Sequence, residues 1–211
     1  MATASQSLFN MTVASDNAGG NQGLLMPKLQ FRFRVNFLSF GIGSTIELTK
    51  QVIDCSRPQV QFDEITIPVY NSTMYLAGKA KWQSLSINVR DDAQGNVSKL
   101  VGQQLQKQMD FVEQASAATG QDYKFQMNIE ILDGGNGTVA PVVLETWELY
   151  GCFVQVANYQ TLNYGTNDPV TIALTIRFDN AIQSPLSAGV GTNIGRILGG
   201  STVTGIGQTN G

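Results

Sequence analysis

Apolar and polar side chains alternate with a period of two over most of the chain. An apolar residue stands at every second position in four segments, which are 29–37, 84–90, 125–131 and 170–178. This alternation is typical of strands that bury one face and expose the other. Shorter strands, the last with a bulge at Gly151, are predicted over 51–54, 60–69 and 142–156. The pattern therefore predicts a mainly β protein.

A helix interrupts this pattern near the middle of the chain. Its apolar residues recur at spacings of four, four, four and three; they are Val97, Val101, Leu105, Met109 and Val112. These spacings place all of them on one face of a helix. The predicted cap of its start is Asn96 or Ser98, and Gly120 follows its end. We expect a helix over about 97–116 that covers one side of the sheet.

Two segments differ from the alternating domain of residues 28–184. Residues 1–27 contain one charged side chain, Asp16, and residues 185–211 contain one, Arg196, together with eight glycines. Glycine loses more conformational freedom on ordering than any other residue. We expect an N-terminal arm and a glycine-rich C-terminal arm that become ordered only against neighbouring subunits.

The chain carries few charges. Lys and Arg number 13 and Asp and Glu number 16, which is 14% of the sequence, against about 25% in a typical soluble domain. Ser, Thr, Asn and Gln take their place. Such a surface is suited to being covered by copies of the same chain or by another chain. The net charge of −3 does not favour binding to nucleic acid or to an anionic membrane.

Side chains that carry out reactions are sparse. The chain has no histidine, which removes His-dependent triads and His-ligated metals. Glu145 and Glu148 are predicted to point to opposite faces of one strand, and we interpret both as solvated. Cys55 and Cys152 are predicted to be small core residues. We expect neither an enzyme nor a bound cofactor or metal, because no phosphate-binding glycine loop is present either.

Residues 31–37 combine arginines with aromatic residues, as the nucleic-acid-binding faces of some sheets do. The alternation places Arg32 and Arg34 on one face and the phenylalanines on the other. A stacking surface needs aromatic rings on the charged face. We therefore expect the phenylalanines to lie in the core. The remaining prominent aromatics are interpreted as core or corner residues; they are Trp147, Tyr159 and Tyr164.

The start of the sequence does not match a signal peptide, and no apolar run reaches the roughly 18 residues of a membrane span. We therefore expect a product that is made in the cytoplasm and does not enter a membrane.

The second half of the chain resembles the inner tail tube protein of contractile-tailed bacteriophages. The resemblance lies in the closing strands and their connection, which are residues 151–156, 162–170 and 172–181. The opening half is similar over residues 31–37, Gln51-Val52, 58–60 and the segment from Gly78 to 91. It covers roughly residues 29–183 in the same order. Related tubes occur in type VI secretion systems and in phage-tail-like bacteriocins.

This resemblance implies a β-barrel or sandwich protomer with one flanking helix. Six protomers would form a ring that shares one continuous β-barrel around a channel, and rings would stack into a tube inside a sheath. The implied partners are further copies of the chain, the tail sheath protein, the baseplate and the tail terminator. The tape-measure protein and genomic DNA would occupy the lumen without tight binding. The protein would be part of the virion and would act in DNA ejection.

Other functions remain open on the sequence alone. The chain could form a single ring, as a tube-like baseplate or tail-completion protein does, or belong to the tube of another contractile injection system. A lipocalin-like carrier of small ligands is a more distant alternative. A sheet-based enzyme is disfavoured by the absence of histidine and of convergent carboxylates.

The segment from Pro58 to Gly78 is the first candidate assembly site. Pro68 lies inside an apolar run, which is typical of an edge strand or a projecting hairpin. In the family that the chain resembles, the loop in this region reaches toward the adjacent ring. The predicted ring-stacking residues are Phe62, Ile65, Ile67, Val69 and Tyr70.

Polar strand faces are the second candidate site, because a wall of uncharged side chains would let DNA pass without holding it. The predicted lumen-facing residues are Gln126, Asn128 and Glu130 on one strand and Ser84, Ser86 and Asn88 on another, with Thr171 and Thr175 as a further pair. Arg32 and Arg34 are expected at a contact between protomers, paired with a carboxylate, rather than in the lumen.

Overall fold

The computed structural model describes residues 7–12, 23–25, 27–134, 140–185, 190, 196–198 and 201–203. In chain order its strands are β1 (Ser7–Thr12), β2 (Gly23–Leu25), β3 (Phe33–Leu38), β4 (Val52–Cys55), β5 (Val60–Val69), β6 (Ser72–Trp82), β7 (Leu85–Arg90), β8 (Met109–Asp110), β9 (Ala115–Ser116), β10 (Phe125–Leu132), β11 (Val143–Asn158), β12 (Thr171–Arg177), β13 (Asn180–Pro185), β14 (Arg196–Leu198) and β15 (Ser201–Val203). Its helices are α1 (Ile46–Lys50), α2 (Asn96–Gln108) and α3 (Gly120–Tyr123).

One long strand joins two antiparallel sheets. The strand order is β3-β10-β11-β12-β7-β4, and β13 pairs with β11 as well. The first part of β11 pairs with β10 and β13, whereas Phe153 and the residues after it pair with β12. The strand changes partners at Gly151, which has a φ of 66°. The predicted bulge at this glycine is confirmed, and the chain is a sandwich of two sheets that share β11.

The inner faces of both sheets close over one core. The buried residues alternate along the strands as the sequence pattern predicted; among them are Leu85, Ile87 and Val89 on β7 and Ile172, Leu174 and Ile176 on β12. Helix α2 covers this core with Val97, Leu100 and Val101. The predicted mainly β architecture with a flanking helix is therefore confirmed.

The flanking helix is shorter than predicted. It ends at Gln108 instead of about residue 116, and Met109 already has extended backbone angles. The reason is local, because the Asp110 carboxylate accepts hydrogen bonds from Val112 N at 2.8 Å and Glu113 N at 3.3 Å. Such a side-chain turn competes with the helical hydrogen bonds. Val112 is mostly exposed, so the predicted apolar stripe ends before it.

The start of the helix is also capped differently from the prediction. The N-cap position is Gly95, and two aspartates that precede the helix bind its first N–H groups. Asp92 accepts from Val97 N at 3.2 Å, and Asp91 accepts from Ser98 N at 3.2 Å. Free N–H groups at a helix start favour carboxylates, so neither Asn96 nor Ser98 is the cap.

The first predicted strand begins later than expected. The Arg32 N–H donates to the Leu29 carbonyl at 3.2 Å, which closes a turn and delays β3 until Phe33. Phe31 lies in this turn and is mostly exposed, whereas Phe33 and Phe37 pack in or against the core. The prediction that the phenylalanines lie in the core is therefore wrong for Phe31.

The predicted arms, residues 1–27 and 185–211, lie mostly outside the described residues. Their described parts form two hairpins, in which β1 pairs with β2 and β14 pairs with β15. Within the described parts of the chain, neither hairpin pairs with the seven-stranded sheet. The expected docking of the arms on neighbouring subunits stays a prediction.

The bend in β11 gives a prediction about stability. A Cβ at residue 151 would collide with the carboxylate of Asp179 and lie 3.2 Å from its Cβ. Lys124 holds that carboxylate at 2.6 Å, which limits its movement. A residue other than glycine is also strained at this φ. We expect Gly151→Ala to lower the free energy of unfolding by about 1–3 kcal/mol, as measured by urea denaturation.

Gly102 is the matched control for this substitution. It lies inside α2, and a Cβ there would meet no atom within 4 Å. Gly102→Ala should therefore stabilise the protein by about 0.5–1 kcal/mol. Equal effects of the two substitutions would contradict the role assigned to Gly151.

Candidate functional site

Strands β5 and β6 form a hairpin that projects from the sandwich. They pair from Val60 and Trp82 at the root to Val69 and Ser72 at the tip. With ten residues in β5 and roughly 3.3 Å per residue, the hairpin is about 33 Å long. Ile65 on one face and Tyr75 on the other are both half or more exposed. The hairpin therefore stands clear of the sandwich instead of lying on it, as the prediction from Pro68 required.

One face of this hairpin is apolar. Ile65 pairs with Leu76, Ile67 pairs with Met74, and Val69 lies beside the tip. All five side chains remain well exposed. No charged residue occurs from Ile65 to Gly78. Contiguous exposed apolar surface of this kind marks an interaction site, and we call these five residues the hairpin face.

The predicted stacking residues do not all share this face. Ile65, Ile67 and Val69 do, but Phe62 lies on the opposite side of β5 and Tyr70 lies in the turn. Sequence reasoning missed Met74 and Leu76, because β6 was not recognised as a strand. The signal was available in Asn71, which favours a turn, followed by an apolar segment of similar length.

The tip of the hairpin is a two-residue turn, Tyr70-Asn71. Tyr70 has a φ of 40°, a conformation that is unfavourable for an aromatic residue. Its side chain is fully exposed. A large ring in a strained turn, without a contact in its own protomer, is suited to bind another surface.

The root of the hairpin is fixed to the sandwich. Asp63 lies opposite a bulge formed by Gly78 and Lys79, and a Cβ at residue 78 would lie 2.9 Å from the Asp63 carbonyl oxygen. Below the bulge, Lys81 contacts Asp63 at 2.7 Å. The Trp82 ring packs on Phe178, with 5.6 Å between centroids. These contacts fix the position at which the hairpin projects from the sandwich.

The predicted lumen-facing residues lie on two different sheets. Gln126, Asn128 and Glu130 point outward from β10, whereas Ser86 and Asn88 point outward from β7 and Ser84 precedes it. Because both sheets turn their inner faces to one core, their outer faces point in different directions. The two sets are not brought together, and at most one of them can line a given channel.

The β10 face contains an ion pair within the protomer. Arg34 on β3 lies opposite Glu130, and its Nη2 is 2.5 Å from the Glu130 carboxylate. Arg34 therefore shares the outward face with Gln126 and Asn128. Two expectations, that this face lines the lumen and that Arg34 lies away from the lumen, exclude one another. Arg32 instead donates to the Asp133 carbonyl at 2.5 Å.

The β7 face is closely hydrogen-bonded and ends in the exposed Arg90. The Asn88 amide donates to both carboxylate oxygens of Asp54, at 2.9 and 3.0 Å. The Ser56 hydroxyl accepts from Ser86 N at 2.8 Å. On the β10 face, by contrast, the Asn128 Oδ1 is buried and accepts no hydrogen bond from the described residues.

Glu145 connects four separate parts of the chain. It is buried, with 3% of its side chain exposed, so its interpretation as a solvated strand residue is wrong. Its carboxylate binds Lys28, Arg57 at 2.6 Å, Trp147 Nε1 at 2.7 Å and Gln183 at 2.8 Å. Glu148 points to the other face, as predicted, and accepts from the Tyr150 hydroxyl at 2.5 Å.

These contacts determine the ionisation of Glu145. Burial alone would raise the pKa of its carboxyl group, but the hydrogen bonds from Lys28, Trp147 and Gln183 and the charge of Arg57 outweigh burial and lower the pKa to about 2. Lys28 precedes β3 and Arg57 precedes the hairpin. The Glu145 carboxylate therefore fixes both the segment that leads into β3 and the segment that leads into the hairpin.

The cysteines are unsuited to nucleophilic chemistry. Cys152 is fully buried, and Cys55 packs against the core from a partly buried position. Burial raises the pKa of both thiols to about 12, so the reactive thiolate is scarce near neutral pH.

In the described part of the chain, no three Cys, Asp or Glu side chains are grouped as metal ligands. No helix in that part is long and apolar enough to span a membrane.

Solved structures of contractile injection systems share this fold. The tube-terminating cap of the anti-feeding prophage is 12% identical, with a TM-score of 0.58, over 81% of this chain and 99% of that chain. A chain of the 6-fold symmetrised anti-feeding prophage baseplate is 16% identical, with a TM-score of 0.53, over 78% and 100%. A chain of the extended PVC sheath–tube complex is 16% identical, with a TM-score of 0.51, over 76% and 93%.

No protein-family model matches the sequence, and no curated protein matches it. At these low identities the structural likeness establishes the fold. The chain has the fold of tube-related proteins of contractile injection systems, which agrees with the resemblance found in its sequence.

Glu145 gives a prediction about acid stability. Its folded-state pKa of about 2 lies below the ordinary value of 4.5, so its ionised form stabilises the fold above pH 4.5. This contribution is lost as the pH falls from 4.5 toward 2, by on the order of 3 kcal/mol. Glu145→Gln should be less stable than the wild type at pH 6 and should lose less stability over that window in urea denaturation.

Glu148→Gln is the control, because Glu148 lies on the outer face. It should keep the acid dependence of the wild type. An unchanged pH profile for Glu145→Gln would contradict the assigned pKa.

Proposed function

We propose that this chain is the subunit of a tail tube, in which six copies form a ring and rings stack into a hollow tube. The observation that carries the proposal is the projecting hairpin. It presents the hairpin face, Tyr70 and an uncharged segment from 65 to 78, none of which packs on the sandwich. Burying this apolar surface on another copy is favourable by about 25 cal/mol for each Å² removed from water.

The unpaired strands support ring formation. Among the described residues, β3 and β4 end the strand order and have a partner on one side only. Such edges tend to pair with other chains. A ring in which protomers join their sheets into one barrel would cover the edges of every copy. The 6-fold symmetry of the baseplate structure that shares this fold supports six copies.

The polar sheet faces support a conduit that does not hold DNA. Gln126 and Asn128, or alternatively Ser86 and Asn88, would line the lumen together with hydrogen-bonded carboxylates. A wall without free cations has no counterion-releasing contacts to phosphate. Both faces carry an arginine, Arg34 on the β10 face and Arg90 on the β7 face, so the charge of the two faces does not decide between them.

The proposed partners follow from this role. The tube would contact a sheath protein on its outside, a baseplate and a tail terminator at its ends, and a tape-measure protein and DNA in its lumen. It would belong to the tail of a phage virion and would need no catalytic group.

A second candidate is a ring that ends a tube. The likeness to a tube-terminating cap, with 99% of that chain covered, favours it. A cap forms one ring and stops, whereas a tube subunit polymerises. Electron microscopy of the purified protein distinguishes single rings from tubes.

Charge placed on the hairpin face tests the stacking role. Ile65→Asp with Ile67→Asp should leave rings intact and abolish tubes, because a buried unpaired charge is costly. Val112→Asp is the control, since Val112 is an equally apolar, mostly exposed residue on another hairpin. Sedimentation and microscopy measure the result, and tubes of normal length from the double variant would contradict the role.

DNA binding tests the conduit. Assembled tubes should bind duplex DNA weakly at physiological salt, with a Kd above about 1 µM, because the chain has a net charge of −3 and several of its cations, such as Arg34 and Lys124, are engaged in ion pairs. Asn128→Lys should slow DNA ejection without reducing assembly if the β10 face lines the lumen. Submicromolar binding that falls steeply with salt would instead indicate a channel that grips DNA.

A further inference from the structure

The hairpin and one long loop lie at opposite ends of the same two strands. β7 and β12 are antiparallel, with Leu85 beside Ile176 at one end and Arg90 beside Thr171 at the other. The hairpin root belongs to the first end, because Trp82 precedes Leu85 and packs on Phe178. The loop of residues 159–170 belongs to the second end, where the Asp91 N–H donates to the Val170 carbonyl at 2.9 Å.

This loop is exposed and carries several exposed apolar side chains among polar ones. Leu162 is 77% exposed, and Tyr159, Tyr164 and Val170 are also exposed, so the interpretation of Tyr159 and Tyr164 as core or corner residues is wrong. An open cavity of about 400 Å³ lies between Thr161, Leu162, Tyr164, Asp168 and Val170. The Asn163 carboxamide accepts from Gly165 N at 2.8 Å, which gives the loop a defined shape.

The hairpin and the loop carry little charge. The hairpin has no charged residue over 65–78, and the loop of residues 159–170 has one, Asp168. Contact between them would bury mainly apolar and neutral polar groups, with Asp168 as the one carboxylate at the contact, and unpaired buried charge is the main cost of burying polar surface. Elsewhere the sandwich surface carries ion pairs, such as Arg34 with Glu130 and Lys124 with Asp179. The loop is therefore a better acceptor than these surfaces.

We propose that the loop of residues 159–170 in one copy is the acceptor for the β5–β6 hairpin of the next copy, with Tyr70 entering the cavity beside Leu162. The inference rests on the stacking role proposed for the hairpin and adds the surface that receives it. β7 has six residues, so donor and acceptor lie on opposite ends of a body at least about 20 Å long. An interface between different surfaces at opposite ends does not close on itself, and it repeats from one copy to the next.

Cross-linking tests the proposed neighbour directly. Tyr70→Cys and Leu162→Cys proteins are prepared separately, mixed and assembled, and then treated with a short bismaleimide. The native thiols, whose pKa burial raises to about 12, contribute little. We expect covalent dimers in the mixture and at most traces in either variant alone. A mixture of Tyr70→Cys with Val112→Cys is the control and should give none.

Charge complementation provides a second readout that does not depend on a cross-linker. Leu162→Asp should weaken stacking at least tenfold, because it buries a second carboxylate beside Asp168, which lines the same cavity. A chain that also carries Tyr70→Lys places opposite charges at every contact and should recover most of the loss. Leu162→Asp combined with Val112→Lys should not recover it.

The outcomes separate this inference from the function on which it rests. A cross-link between residues 70 and 162, together with recovery of stacking by opposite charges at these two positions, would support the loop as the acceptor of the hairpin. Wild-type tubes that are blocked by the hairpin variants, yet show neither cross-linking nor recovery through Leu162, would overturn the acceptor and leave the tube function standing. A wild-type protein that never associates would overturn both.

Discussion

The structure depends on a single strand that belongs to two sheets. β11 pairs with β10 and β13 as far as Cys152 and with β12 from Phe153 onward, next to the bulge at Gly151. A strand of ordinary geometry could not turn from one sheet into the other without a local change in the backbone, and a bulge with a left-handed glycine provides that change. Because β7 and β4 follow β12 in the second sheet, the bend also determines where the hairpin and the loop of residues 159–170 point.

Part of the small number of charges is paired inside the protomer. Glu145 holds Lys28 and Arg57, Glu130 holds Arg34, and Asp179 holds Lys124. The exposed pairs among these add little stability, but they neutralise cations that would otherwise attract phosphate. The hairpin is left without charge over 65–78, and the 159–170 loop carries only Asp168. The proposed role, self-association around a channel that lets DNA pass, would benefit from both features.

The sequence was sufficient for those parts of the fold in which each residue has one dominant environment. The alternation over 125–131 and 170–178 predicted β10 and β12, and Gly151 predicted the bulge. Prediction from the sequence pattern failed where local hydrogen bonds compete with the periodicity of apolar residues. The Asp110 carboxylate ends α2 early, and the turn at Arg32 exposes Phe31. No sequence rule distinguishes these outcomes from a continued helix or strand.

The candidate site was only partly predictable, for a similar reason. Pro68 indicated a projecting hairpin, but the apolar face is composite. Ile65 and Ile67 need Leu76 and Met74 from the second strand, and the pairing depends on a bulge at Gly78 that alternation alone does not show. Glu145 was misread because its burial depends on Lys28, Arg57 and Gln183, which are distant in sequence. Contacts between distant residues are set by the tertiary structure.

The positions of the hairpin and the loop also bear on the choice between a tube subunit and a cap. A ring that only ends a tube needs one of the two surfaces, a donor or an acceptor, because nothing binds its far side. A subunit of the tube needs both, on opposite ends of the body. This chain has an apolar hairpin at one end of β7 and β12 and, at the other, a loop that exposes Leu162, Tyr164 and Val170 and carries one charge, Asp168. A cap would be expected to carry charges on the surface that stays exposed, since unoccupied apolar surface promotes uncontrolled association. Exposed apolar side chains on both the hairpin and the loop, with Asp168 as the one charge between them, therefore favour a subunit that is covered on both sides.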